Sequence, residues 1–113
     1  MDKQIDSDTE NQIRELQALE NTMQSVLMQK QSFQLELSEI ENASKELSKV
    51  KDEVYKIAGN IMVKASKDEL IKEINQKKDL INLRLKTLDN QEKSLNEESE
   101  ELRKNVLSKI QKK

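Results

Sequence analysis

From residue 16 onward, apolar side chains return at alternating intervals of three and four. Leu16, Leu19, Met23, Val26, Phe33, Leu37, Ile40 and Leu47 follow this rhythm, and Lys30 and Ser44 occupy two further places in the same row. This is a heptad seam, with one register at residues 16, 23, 30, 37 and 44 and the other at 19, 26, 33, 40 and 47. It predicts a helix over residues 8–51, and Ser7 with Glu10 fits a capping box at its start.

A second seam occupies the C-terminal half. Ile74, Ile81, Leu88, Leu95 and Leu102 recur every seven residues. Their companions, Ile71, Lys78, Leu85, Glu92, Ser99 and Val106, are only half apolar. The polar seam positions in both arms are expected to set the register or loosen the packing. Ser66 and Glu69 form a capping box, with Ala65 and Leu70 placed for a hydrophobic staple, so a second helix is predicted over residues 67–111. Each arm would run roughly 65–70 Å at 1.5 Å per residue.

Between the arms the period changes. The stretch VYKIAGNIMVKA, residues 54–65, is rich in β-branched residues and holds the single glycine, Gly59. Gly59-Asn60 fits a two-residue hairpin turn of type II′ or I′. Ala58 then faces Ile61, Ile57 faces Met62, Lys56 faces Val63, and Tyr55 faces Lys64. One face carries Val54, Lys56, Ala58, Ile61, Val63 and Ala65; the other carries Tyr55, Ile57, Met62 and Lys64. Two arms of matched length around one reversal predict an antiparallel two-helix coiled coil with a central β-hairpin, all in one domain spanning residues 1–113. A lone two-stranded hairpin is marginal in water and has two open edges. Hairpins from several chains are therefore expected to join into a larger sheet or barrel.

Composition supports rods over a globular core. Charged residues make up 37% of the 113 and aromatics 2%, with no proline, so few large side chains exist to fill a compact interior. Residues 1–52 hold 11 acidic and 6 basic side chains, a net of −5, while residues 67–113 hold 10 acidic and 12 basic, a net of +2. Opposite signs favour the arms lying side by side, although each exposed pair contributes only about 0.2–1 kcal/mol.

Chemistry is excluded more readily than assigned. Cysteine and histidine are absent, which removes the usual nucleophilic dyads and soft-metal sites. One glycine cannot make a phosphate loop. The opening DSDTEN lacks the glycine and closing glutamate of a calcium loop. No catalytic, metal or cofactor residue is expected, and the chain does not read as an enzyme. A net charge of −2 with no basic patch carrying aromatics argues against nucleic acid. No run of about 18 apolar residues exists to span a membrane. The polar, acidic MDKQIDSDTE is not a secretory signal, so a soluble cytoplasmic protein is expected.

The residues VYK-x-x-G-N and LRLKTLDNQE, with the QKQ region of the first arm, resemble the β-class prefoldin subunit of the archaeal type. The resemblance covers about residues 10–107. It implies a hexamer of two α-class and four β-class subunits, whose hairpins build a double β-barrel platform with coiled coils projecting from it. It further implies ATP-independent capture of unfolded proteins and delivery to a group II chaperonin. Val54, Tyr55, Ile57, Ala58, Gly59, Asn60, Ile61, Met62 and Val63 would form the assembly hairpin.

A chaperone of this type needs weak, adaptable apolar contact. Residues 1–20 and 98–113 would form its working ends, with Ile5, Ile13, Leu16, Leu102, Val106, Leu107 and Ile110 as client contacts. Leu16, Leu102 and Val106 read first as seam residues, whereas Ile13 lies off the seam. The rival reading is a scaffold or adaptor coiled coil without client-holding activity, which leaves both hairpin faces unburied.

Overall fold

The computed structural model describes residues 6–111. Two long helices flank one hairpin: α1 (Ser7–Lys49), β1 (Val54–Ala58), β2 (Ile61–Ala65) and α2 (Lys67–Gln111). The chain divides into two compact units, one formed by residues 31–86 and the other by residues 1–30 with 87–113.

The unit of residues 31–86 contains the hairpin. β1 and β2 pair antiparallel, with Val54 opposite Ala65, Tyr55 opposite Lys64, Lys56 opposite Val63, Ile57 opposite Met62 and Ala58 opposite Ile61. This is the register that the alternation predicts. Gly59 sits at φ +64°, and no residue other than glycine has positive φ among those described. Asn60 therefore cannot complete a type I′ turn, and the type II′ alternative holds.

Helix ends in this unit are satisfied by named groups. Ser66 caps α2: its Oγ accepts from the Glu69 N–H at 3.5 Å, and its carbonyl accepts from the Leu70 N–H at 3.0 Å. Ala65 and Leu70 are both half-buried, as a staple requires. α1 stops at Lys49, two residues before the predicted end. There the Val50 N–H turns back to the Leu47 carbonyl at 3.3 Å, and the Lys67 ammonium donates to the Val50 carbonyl at 2.7 Å. A cation thus meets the partial negative charge at the α1 C-terminus.

The seam of this unit buries Leu47 and Ile81 and half-buries Phe33, Leu37, Ile40, Ile74 and Leu85. Its antiparallel sense is marked by Lys78 with Glu41 at 4.0 Å, and by the Arg84 guanidinium 5.8 Å from the Phe33 ring centre. Two seam expectations need correction. Ser44 is exposed. Ile71 remains 38% exposed, while Leu70 turns inward in its place. Leu70 stands at the staple position relative to Ala65, and the heptad resumes at Ile74.

In the other unit, Val26, Leu88 and Val106 are buried, and Leu16, Leu19, Met23, Leu95 and Leu102 are half-buried. Each fully buried aliphatic side chain contributes about 1.5–3 kcal/mol. Glu20 and Arg103 lie 3.6 Å apart, again as antiparallel helices require. The N-cap differs from expectation: Asp6, not Ser7, fills it. Its Oδ1 accepts from the Thr9 N–H at 2.7 Å, and its carbonyl from the Glu10 N–H at 3.0 Å. Ser7 is already the first helical residue.

Substitution of Gly59 tests the turn. A Cβ there would meet nothing within 4 Å, so the cost is backbone strain alone. Gly59→Ala should weaken the hairpin by about 1–2 kcal/mol. Hydrogen exchange should speed up at the β1 and β2 amides while helicity by circular dichroism stays unchanged.

Candidate functional site

Neither sheet face is covered at its tip. Ile57 is 74% and Met62 67% exposed, and Tyr55, Ile61 and Val63 are exposed as well. Only the base of the hairpin is covered, where Val54 is buried and Ala65 half-buried. Among the described residues each strand pairs solely with the other, so each keeps one open backbone edge. Ala58, Gly59 and Asn60 complete the exposed tip. All nine hairpin residues singled out from the sequence therefore fall on one ribbon, and eight of them are exposed.

Polar contacts fix the ribbon at its base. Glu53 accepts from the Lys64 ammonium at 2.8 Å and from the Tyr55 hydroxyl at 2.9 Å. Lys64 first, and Tyr55 second, hold the Glu53 carboxyl below its ordinary value of 4.5. On the opposite face Lys56 reaches Glu73 at 3.4 Å.

In the other unit the helix termini present few apolar groups to solvent. Leu107 and Ile110 are exposed. Leu16 and Leu102 are half-buried and Val106 is buried, so these three belong to the seam. Ile13 is half-buried too, although the heptad count places it off the seam. Ile5 lies outside the described residues.

The most polar point of this unit's seam is a triad. Lys30, with its side chain only 20% exposed, reaches Asp89 Oδ1 at 2.8 Å and Glu92 Oε2 at 2.7 Å. Hydrogen bonds to Asp89 and then Glu92 raise the Lys30 pKa above its ordinary 10.5. Sequence reading placed Lys30 and Glu92 at seam positions but did not pair them, and it missed Asp89. It also missed Asp6, Glu53 and Lys67. The polar seam positions were the available signal for the triad.

No described helix is long and apolar enough to cross a membrane. Two long helices around one short, uncovered hairpin define a coiled-coil subunit with a built-in strand-pairing element. A family model described as prefoldin subunit matches residues 10–113. The chain belongs to the prefoldin subunit family. It is 40% identical over 104 residues to prefoldin subunit beta of Archaeoglobus fulgidus, covering 88% of this chain and 90% of that one. Prefoldin subunit beta of Caldivirga maquilingensis is 36% identical over 98 residues, covering 85% and 81%. The crystal structure of the prefoldin beta subunit from Thermococcus strain KS-1 superposes with a TM-score of 0.91 at 32% identity, covering 99% of this chain and 100% of that chain.

Two expected outcomes follow from these charges. Lys30→Leu leaves Asp89 and Glu92 facing an apolar side chain and should lower Tm. Adding Glu92→Leu should recover Tm to the parent value or above, since an apolar pair replaces a partly buried ion pair. The pH dependence has a worked sign. Glu53 and Asp6 have depressed folded pKa values, so their contributions are present above the ordinary carboxylate range and fade as pH falls below it. The raised Lys30 pKa acts oppositely: its contribution is full below 10.5 and is lost as pH rises beyond it. Thermal melts should give a plateau of Tm between these limits.

Proposed function

We propose that this chain is the β-class subunit of an ATP-independent chaperone. In this reading its hairpin knits to those of α-class partners and other β-class copies in an α2β4 hexamer. The helix ends hold unfolded proteins and release them to a group II chaperonin in the cytoplasm. Membership of the prefoldin subunit family supports a chaperone role. The observation that carries the assembly step is the ribbon with two exposed apolar faces and two open edges. A scaffold coiled coil would leave that surface in water, where it invites indiscriminate strand pairing.

Client holding is assigned to the helix ends. Leu107 and Ile110 are already accessible there. Ile13, Leu16, Leu102 and Val106 become available when the terminal turns fray, and Ile5 completes the set by sequence position. Each contact is weak, and several arms acting together supply avidity.

Two chains test the two halves of this reading. Ile57→Asp with Met62→Asp should abolish the oligomer in sedimentation while leaving most helicity; an unchanged mass would refute the platform. Deletion of residues 1–10 and 104–113 should keep the oligomer but remove suppression of aggregation of a denatured test protein. Retained suppression would move the client site elsewhere.

A further inference from the structure

One run of α1 is almost without charge. Residues 21–35 hold a single charged side chain, Lys30, in a chain that is 37% charged. The helix on either side is ordinary, with five charged residues in 7–20 and six in 36–49. Lys30 adds nothing to the outer surface, because it sits in the seam with Asp89 and Glu92. Every exposed residue between 21 and 35 is therefore uncharged. Met28 and Leu35, seven residues apart, share one side of α1 and are 67% and 63% exposed. Gln24, Ser25, Gln31 and Ser32 stand three and four residues from Met28 on the same side, and all four are exposed.

We propose that this side of α1 is a further client surface, which takes an extended, uncharged apolar segment of an unfolded protein with Met28 and Leu35 as its apolar contacts. The proposal rests on the chaperone reading above and names the chemistry of what is held. The missing charge identifies the occupant. Segments that belong in a protein interior are apolar and uncharged. Laid on a charged helix face, such a segment would strip water from ions and offer them nothing in return. On this face no ion loses its water. The amides and hydroxyls of Gln24, Ser25, Gln31 and Ser32 can pair with the segment's backbone groups. Met28 adapts its shape to whichever side chain arrives. A helix of a second copy suits the surface less, since α2 carries 20 charged residues among its 45.

The dimensions agree. Fifteen helical residues span roughly 22 Å, which matches about six or seven residues of extended chain. The run begins where the end segment of residues 1–20 stops, so a client held at the helix ends can continue along it. The surface lengthens that grip and does not replace it.

The chain contains no cysteine, so one introduced thiol can carry a single photo-cross-linker. Ser25→Cys and, as a control on a charged face, Glu98→Cys are each labelled with a benzophenone maleimide and irradiated with a denatured test protein; both sites are exposed. Ser25→Cys should capture the test protein several-fold more than the control. In parallel, Met28→Lys with Leu35→Glu should weaken binding of a fluorescent, uncharged apolar peptide by about tenfold or more. Both replacements favour helix, so circular dichroism and sedimentation should match the parent. The same peptide with two aspartates added should bind the parent weakly.

Equal capture at the two labels, with full peptide binding by the double variant, overturns this surface and leaves the chaperone reading standing. A fall in mass for the double variant shows that the face pairs copies, which overturns the client as occupant. Failure of the parent to suppress aggregation, alone and with α-class partners, overturns the chaperone reading and this proposal with it.

Discussion

A two-stranded ribbon cannot bury itself. Five residues per strand give one face too few neighbours and leave one backbone edge of each strand unpaired. Of the ribbon's own residues only Val54 is buried and Ala65 half-buried, and the remaining apolar tip stands exposed. That deficit organises the molecule. It separates the helical seams, which bury their own apolar side chains, from a ribbon whose apolar tip stays exposed.

The seams meet a different requirement. They are only partly apolar, and polar residues sit where aliphatic ones would pack more tightly. Lys30 between Asp89 and Glu92 shows how such positions act. A misregistered pairing would leave Lys30 and Glu92, both largely covered, without each other. Register is thereby selected by the penalty for error. Ser99 is buried at another polar seam position.

Much of this was legible in the residues. The helices, the ribbon and its full register follow from two periodicities and one Gly-Asn pair. The turn was narrowed to two types, and the φ of Asn60 decided between them. Other features required the third dimension. Asp6 and Ser7 are both good N-caps, and spacing to Glu10 favours the wrong one. Ile71 continues the heptad yet stays exposed, while its neighbour Leu70 is half-buried. The triad pairs residues 62 apart, and no periodicity within one helix encodes the alignment between two.

The ammonium of Lys67 on the carbonyl of Val50 has a mechanical consequence. It ties the last turn of one helix to the first turn of the other across the root of the ribbon. A tug on either rod can pass through this tie to its companion without travelling around the turn at Gly59. The strands are shielded from strain by a crossbar, in the way a hinge pin spares the cloth sewn beneath it.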